Sequence, residues 1–188
     1  MYRSFFKRPL DAALAAVALI LLAPVMLLVI IAIRIEDGGP PIFRQLRVGR
    51  EGGLFTILKF RSMPVATPNL PSAAATQLRI TRVGGFIRRS NLDELPQLVN
   101  ILRGDMSLIG PRPAMPTQTT LLEQRRAHGV LAARPGLTGL AQVNAYDGMP
   151  ESEKVDWERR YLERITFWGD VRIIGLTVAY LFKPPPVY

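Results

Sequence analysis

The sequence predicts a compact mixed α/β domain that carries an apolar N-terminal helix, and three observations lead to this fold class. Ala12 to Ile33 form a run of 22 residues without a charge, which is long enough to enter or cross a bilayer. Ile42 to Val48 and Leu54 to Phe60 are short apolar segments on either side of a glycine-rich turn, a pattern typical of a β-hairpin. Later segments repeat apolar residues at helical spacing, so the remaining chain is predicted to be mainly helical.

Composition narrows the chemistry that the chain can perform. Its 188 residues are enough for one modest domain with appendages. The absence of cysteine excludes disulfide scaffolds, thiolate nucleophiles and the usual structural zinc sites. His128 is the only histidine, so a histidine-based triad is not expected. The net charge of +9 indicates an acidic partner, which charge alone leaves open between nucleic acid, anionic lipid and phosphorylated small molecules.

Basic residues flank the apolar run on both sides, and the positive-inside rule therefore keeps both flanks in the cytoplasm. They are Arg3, Lys7 and Arg8 before the run and Arg34, Arg44, Arg47 and Arg50 after it. Pro24 lies at the centre of the run and lacks the N–H that would bond the carbonyl of Ile20, which favours a bend or break. We therefore expect residues 1–36 to form a re-entrant membrane helix broken at Ala23 and Pro24. A cleavable signal peptide and an ordinary transmembrane helix are the alternatives.

Residues 37–188 are expected to form one domain on the cytoplasmic face of the membrane. Residues 64–76 are rich in Pro, Ala, Thr and Ser and predict a surface loop. Helices are predicted from about Leu92 to Arg103, from Thr117 to His128 and from Glu151 to Arg164, and an apolar segment follows from Val171 to Phe182. Pro96 does not suit the interior of the first helix, which must therefore start close to this residue or be kinked.

An aromatic stripe marks the last predicted helix. Trp157, Tyr161, Ile165 and Trp168 fall at helical spacing, opposite Glu158, Arg159 and Glu163. Such a stripe either packs in a core or lies at the membrane interface, where tryptophan and tyrosine are enriched. Because the N-terminal run already ties the chain to a bilayer, we expect amphipathic interfacial helices here.

A pair of carboxylates follows a long basic window. From Gly52 to Leu92 there is no acidic residue, and then Asp93 and Glu94 occur together. Nearby cations and helix N-terminal amides favour ionised carboxylates, which suits a nucleophile or a magnesium ligand. The alternative is that the pair only caps the following helix, with Asn91 and Glu94 forming an approximate capping box.

The phrase from Gly104 to Pro113 favours chemistry over capping. Its glycines and prolines predict an irregular, fixed loop. Arg112 stands between two prolines, so its planar guanidinium is held ready to bind a phosphate through two hydrogen bonds. Carboxylates, magnesium and converging arginines together indicate phosphoryl transfer.

Five blocks of the sequence resemble, in order, the motifs of the monotopic phosphoglycosyl transferases, also called bacterial sugar transferases. Together they are highly specific and cover most of the chain, whose size resembles the small members that consist of the catalytic core. The blocks are Lys7-Arg8-Pro9-Leu10-Asp11, Leu58-Lys59-Phe60-Arg61-Ser62-Met63, Leu92-Asp93-Glu94-Leu95-Pro96-Gln97-Leu98, the phrase from Gly104 to Pro113, and Arg134-Pro135-Gly136-Leu137-Thr138-Gly139-Leu140-Ala141-Gln142-Val143-Asn144.

The resemblance implies a two-step transfer with named site residues. Asp93 and Glu94 fall on the family's catalytic pair and would also bind Mg²⁺, while Lys59, Arg88 and Arg112 fall on basic positions that bind substrate phosphate. Asp93 would attack the sugar-proximal phosphate of a UDP-sugar, release UMP and hold the phosphosugar, which polyprenyl (undecaprenyl) phosphate would then accept. Such a reaction is the first membrane step of bacterial glycoconjugate synthesis. It implies a monotopic enzyme on the cytoplasmic face of the bacterial inner (plasma) membrane.

Two positions stand outside the family pattern. Many relatives place a serine before the helix-breaking proline, whereas this chain has Ala23, so the serine hydrogen bond must be replaced or absent. The segment from Tyr146 to Glu153 matches no motif, and its place after the last block makes it a candidate for sugar choice.

Other function classes fit only part of the sequence. A non-catalytic membrane adaptor would bind anionic lipid through its basic face and a partner protein through its aromatic helices. A nucleic-acid-binding regulator would use the charge alone, and the chain lacks a groove-reading motif or stacking platform. The enzyme accounts for the anchor, the basic window and the carboxylate pair together, so no nucleic-acid partner is expected.

Overall fold

The computed structural model describes residues 1–65, 80–146 and 148–181. Helix α1 runs through Lys7–Asp37 after a π-helical turn at Tyr2–Phe6. It ends at Gly38, whose φ of 69° is left-handed and whose N–H donates to the carbonyl of Arg34. α1 continues through Pro24, so the predicted break at that residue does not interrupt the helix.

Apolar contacts on both sides of Pro24 hold α1 in one piece against the domain. Before the proline, Ala15 is fully buried with Leu98 and Ile101. After it, Ile33 is buried in a second cluster. The domain therefore contacts α1 along most of its length, which compensates for the hydrogen bond that the proline removes.

The opposite face of α1 is apolar and open. Ile20, Leu21, Leu28 and Ile35 are 67–81% exposed. The stretch Tyr2–Asp37 is long and apolar enough to cross a membrane, and only 11% of its most apolar window is buried within the protein. A core helix of a soluble protein would be mostly buried, so this face is suited to lipid.

The predicted hairpin is confirmed. Strands β1 (Ile42–Val48) and β2 (Leu54–Phe60) pair antiparallel, with Ile42 opposite Phe60 and Val48 opposite Leu54. The connecting turn contains the short 3₁₀ segment Arg50–Gly52. Lys59 lies near the end of β2, where the strand leads into the rest of the domain.

The helix predicted from Leu92 to Arg103 is shorter than expected. Leu92–Glu94 form a separate 3₁₀ turn, and helix α3 begins after Pro96 and covers Gln97–Arg103. Proline has no N–H for a helical bond, so it is tolerated at the start of a helix and not inside it. The buried amide of Asn100 then ties α3 to β2, because it accepts from the N–H of Leu58 at 3.0 Å and donates to the carbonyl of Thr56 at 2.8 Å.

Strands β3 (Ser107–Ile109) and β4 (Gly136–Thr138) form a short parallel ladder that the sequence did not predict. Glycine allows the two backbones to touch, since a Cβ on Gly136 would lie 2.1 Å from the nitrogen of Gly110. The N–H of Gly136 also donates to the carbonyl of Pro111 at 2.8 Å. The chain after β4 thus fixes the loop after β3, which carries Arg112.

Four helices complete the domain. They are α2 (Arg82–Arg89), α4 (Thr119–Ala127), α6 (Glu151–Glu163) and α7 (Phe167–Leu181), with the single turn α5 (Leu140–Val143) before α6. Helices α4 and α6 agree with prediction within two residues at each end. The surface loop predicted at 64–76 lies outside the described residues from position 66 onward.

The predicted aromatic stripe is divided in the structure. Tyr161 is buried and donates to the carbonyl of Ile109 at 3.1 Å, whereas Trp168 is 75% exposed. The placement of Glu158 on the polar side was wrong, because this carboxylate is 2% exposed and binds Arg125 of α4. The buried ion pair explains the error, since a charged residue enters a core only with a partner.

Candidate active site

The carboxylate pair lies on the 3₁₀ turn between α2 and α3. Asn91 precedes this turn with a left-handed φ of 54° and makes no side-chain cap. Leu92 and Leu95 flank the pair and pack into the apolar cluster that contains Ile33 of α1. The turn is therefore anchored directly to the apolar N-terminal helix, and the alternative of a capping box at Asn91 is wrong.

Glu94 joins two cations from distant parts of the chain. Its Oε1 accepts from Nζ of Lys59 at 2.7 Å and from Nη2 of Arg112 at 2.9 Å. Burial alone would raise the pKa of Glu94, but the charges and hydrogen bonds of Arg112 and Lys59 outweigh it and lower the pKa to about 2. Glu94 is therefore ionised at any physiological pH, as the sequence predicted.

Asp93 has a different environment from its neighbour. It is 9% exposed, and burial raises its pKa above the ordinary value, helped by the charge of Glu94. Lys59, Arg88 and Arg112 act in the other direction. The three cations predicted from the sequence thus all act on this one carboxylate, and a further positive charge would stabilise its ionised form.

Arg88 reaches the site because α2 packs closely on the end of the hairpin. A Cβ on Gly84 would lie 2.0 Å from the carbonyl oxygen of Ser62, so only glycine permits this approach. The first turn of α2 is capped twice, by the Thr81 hydroxyl, which accepts from the N–H of Gly84 at 2.9 Å, and by the carboxylate of Glu36 from α1. About one turn after Gly84, α2 presents Arg88, whose charge acts on Asp93.

Arg112 is fixed by the backbone on both sides. The carbonyl of Pro111 accepts from Gly136, and the carbonyl of Pro113 accepts from Nη1 of Arg47 at 3.1 Å. The side chain of Arg112 remains 44% exposed while it binds Glu94. An exposed guanidinium held in this way is well placed to bind a phosphate.

The carboxylate pair fits magnesium, although only as part of a shared site. Among the described residues no group of three or more His, Cys, Asp or Glu side chains could hold a metal alone. Magnesium is usually bound by one or two carboxylates, with phosphate oxygens and water completing the shell. Burial disfavours the charged form of Asp93 and raises its pKa. A bound cation would offset this effect.

Arg47 is a residue that the sequence reasoning missed. The sequence identifies it only as one of the positive charges after the apolar run, but in the structure it lies on β1 and lines a cavity together with Arg112. The cavity measures about 360 Å³. The strand pattern could have indicated that Arg47 faces the protein, because alternation places it on the same face as the buried Gln45.

Known proteins match this chain over nearly its whole length. The UDP-glucose:undecaprenyl-phosphate glucose-1-phosphate transferase of Caulobacter vibrioides is 40% identical over 97% of this chain and 72% of its own length. The Escherichia coli protein of the same name is 38% identical over 97% of this chain and 41% of its own. The undecaprenyl-phosphate galactose phosphotransferase of Salmonella typhimurium is 36% identical over 98% and 42%.

The relatives are thus mostly longer than this chain, which matches less than half of the last two. Residues 2–184 match the family described as bacterial sugar transferase, and they include every residue of the site above. Family membership agrees with the resemblance carried by the five sequence blocks. The chain belongs to the bacterial sugar transferase family.

Proposed function

We propose that this chain transfers a sugar 1-phosphate from a UDP-sugar to undecaprenyl phosphate and releases UMP, with Asp93 as the nucleophile. The observation that carries the proposal is the convergence of Lys59, Arg88 and Arg112 on a buried carboxylate pair. The names of the relatives support the donor and acceptor classes. They support UDP-glucose or UDP-galactose as the first donors to try.

In the first step, a carboxylate oxygen of Asp93 attacks the sugar-proximal phosphorus of the donor. An O–P bond forms, the bond between that phosphorus and the bridging oxygen breaks, and its electron pair leaves with UMP. The charge that develops on the phosphoryl oxygens and on the leaving phosphate lies among Lys59, Arg88 and Arg112. Fixed cations of this kind lower the barrier because they need no rearrangement during the reaction.

In the second step, a phosphate oxygen of the polyprenyl carrier attacks the phosphorus held by Asp93. The new bond completes a diphosphate between lipid and sugar, and the bond to Asp93 breaks to return its carboxylate. Neither step needs the enzyme to supply a proton to the leaving group, because both leaving groups are anions. The absence of a nearby histidine is compatible with this chemistry.

Glu94 acts in this proposal as an organiser of charge. Its single oxygen holds Lys59 and Arg112, which come from β2 and from the loop after β3. Magnesium would be held by Asp93 and Glu94 and would neutralise charge on the diphosphate. The exposed part of the Arg112 guanidinium would bind the diphosphate beside its contact with Glu94.

The membrane position of the chain supports a lipid substrate. The apolar face of α1 and the exposed Phe167, Trp168 and Val171 of α7 suit contact with lipid. Because the turn that carries Asp93 packs on α1, the nucleophile would lie close to the bilayer surface. We propose a monotopic arrangement on the cytoplasmic face of the inner membrane, with α1 as a re-entrant helix.

Turnover tests this proposal. The full chain in lipid discs, supplied with Mg²⁺ and UDP-glucose or UDP-galactose, should release at most one equivalent of UMP per enzyme without undecaprenyl phosphate, and many equivalents when that lipid is present in excess over enzyme. Asp93→Asn should abolish release, while Asp156→Asn, which removes an exposed carboxylate of α6, should not. Equal UMP release by Asp93→Asn and wild type would refute the assignment, and a folded wild type without turnover on any UDP-sugar would favour the adaptor.

A further inference from the structure

A cavity of about 360 Å³ opens beside Arg112, between β1, α4, α5 and the start of α6. Its lining includes Arg47, Met115, Gln142, Tyr146 and Lys154. We propose that this cavity holds the nucleoside half of the donor, and that Arg47 is a further catalytic residue, which binds the phosphate that leaves with the nucleoside. The inference rests on the proposed function, because it assigns a place to one half of that reaction's donor.

Arg47 is a half-buried cation whose contacts are with neutral groups. Nη1 donates to the carbonyl of Pro113 at 3.1 Å, Nη2 donates to Oε1 of Gln45, and Nε is buried without a hydrogen-bond partner. In the described part of the chain Arg47 makes no ion pair. A cation withdrawn from water without a counter-charge is costly, so the protein retains a site that an anion would complete.

The positive charge of Arg112 near Arg47 also favours the binding of an anion in the cavity. Burial and the like charge of Arg112 lower the pKa of Arg47 to about 10, which leaves it protonated near neutral pH. Glu94 binds Arg112 and also attracts Arg47, but its single negative charge cannot neutralise both guanidinium groups that line the cavity. A phosphate has the charge and the acceptor oxygens to bridge them.

The positions of the charged residues indicate which part of the donor the cavity binds. Arg112 binds Glu94, the neighbour of Asp93, and it also lines the cavity together with Arg47. Arg112 therefore stands between the nucleophile and Arg47. The first phosphate belongs at Asp93, and a second phosphate belongs between Arg112 and Arg47.

The connectivity of a nucleoside diphosphate sugar then decides which half enters the cavity. Its sugar is attached to the phosphorus that Asp93 attacks, and its nucleoside is attached to the other phosphorus. A cation beyond Arg112 has a role only on the side of the second phosphate, because no phosphate lies beyond the sugar. The cavity next to Arg47 is thus on the nucleoside side.

The lining suits a base and a ribose. Met115, Met149 and Ala145 supply apolar surface, and Gln118 and Lys154 supply polar groups. Tyr146 lies at the rim, where its hydroxyl donates to Oε2 of Glu153 at 2.5 Å. The segment that the sequence offered as a candidate for sugar choice is assigned by this proposal to the nucleoside.

UMP binding to the full chain, measured by calorimetry without turnover, tests the inference. Arg47→Gln removes the charge, and Ala145→Phe fills the cavity without touching a charge. Each should weaken UMP binding about 10- to 100-fold, the range expected for loss of a charge-assisted hydrogen bond or of a filled site. Arg44→Gln is the matched control, because it removes an exposed arginine from the same strand, and it should leave UMP binding unchanged.

The two half-reactions give a second readout that a loss of folding would not imitate. Arg47→Gln should slow formation of the phosphosugar adduct from the UDP-sugar and leave transfer from the preformed adduct to undecaprenyl phosphate unchanged. Unaltered UMP affinity in folded Arg47→Gln and Ala145→Phe proteins would overturn the inference. Equal slowing of both half-reactions would overturn it as well, since the sugar takes part in both. Failure of the wild type to form an adduct bears on the proposed function alone, because the UMP titration needs no turnover.

Discussion

Glu94 shows how single side chains organise this site. Lys59 is 35 positions and Arg112 is 18 positions from it in sequence, yet both donate to the same carboxylate oxygen. The arrangement shares one negative charge between two cations, so Glu94, Lys59 and Arg112 together remain net positive. A diphosphate that approaches Asp93 therefore meets fixed positive charge on more than one side.

Replacement of Arg112 by lysine tests whether the shape of the guanidinium matters. Lysine keeps the charge, but it cannot bind Glu94 with one edge and a phosphate with another. We expect kcat/KM of Arg112→Lys to fall about 10- to 100-fold, as for loss of one charge-assisted hydrogen bond. Arg126→Lys, at an exposed position of α4, should retain wild-type kcat/KM. Wild-type kinetics in Arg112→Lys would show that charge alone suffices at this position.

At the scale of elements, the ladder of β3 and β4 positions the loop that carries Arg112. Gly136→Ala would place a methyl group 2.1 Å from the backbone nitrogen of Gly110, so the two strands must separate. We expect a lower melting temperature and a loss of kcat/KM of at least about 10-fold, because a small displacement of a positioned group has such effects. Gly175→Ala, which meets nothing within 4 Å in α7, should change neither. An unchanged melting temperature and kcat/KM for Gly136→Ala would mean that the close approach is unimportant.

The buried ion pair between α4 and α6 makes a separate prediction about stability. Nε of Arg125 donates to Oε2 of Glu158 at 2.8 Å, and Nη2 donates to Oε1. Glu158→Gln would leave Arg125 buried without its charge partner and should destabilise the protein by about 3–5 kcal/mol. Glu163→Gln removes an exposed carboxylate of the same helix, which pairs with Arg159, and should cost less than about 1 kcal/mol. Denaturant unfolding in detergent compares the two, and similar losses would contradict the structural reading of the pair.

Regular elements were predictable where the local pattern was complete. The hairpin strands agree at both ends because alternation and a glycine-rich turn define them locally. The ladder of β3 and β4 was missed because strands of three residues in a glycine- and proline-rich phrase have no periodicity to detect. The predicted start of α3 was too early, because the apolar stripe continues across Pro96 whereas the α-helix begins only after it.

The predicted site residues came from motifs, and their proximity came from the fold. Nothing in the spacing of Lys59 and Glu94 indicates that they touch. Arg47 was missed because a lone arginine on a strand looks like a surface charge until Pro113 and the cavity are known. The burial of Glu158 likewise could not be predicted from the sequence, since its partner Arg125 lies on another helix.

At the scale of the whole molecule, the turn that carries Asp93 packs on α1, whose open apolar face is suited to lipid. Both halves of the helix pack on the same domain, and the proposed re-entrant arrangement requires both ends of α1 to lie on one side of the bilayer. The chain has no cysteine, which allows labelling without a background.

Single cysteines placed before and after α1 test this topology. Ser4→Cys and Arg44→Cys both replace exposed residues. A maleimide that cannot cross membranes should label both in inverted vesicles and neither in intact spheroplasts. Labelling of the two positions from opposite sides would establish a transmembrane helix and exclude the re-entrant arrangement.

The central claim is that Asp93 carries the phosphosugar between the two steps. Intact-protein mass spectrometry of the full chain, incubated with Mg²⁺ and a panel of UDP-sugars without lipid acceptor, tests it most directly. We predict a mass increase of one phosphosugar in the wild type, its loss on addition of undecaprenyl phosphate, and no increase in Asp93→Asn. Formation of the lipid product by a wild type that never gains this mass, even on rapid quenching, would contradict the covalent mechanism.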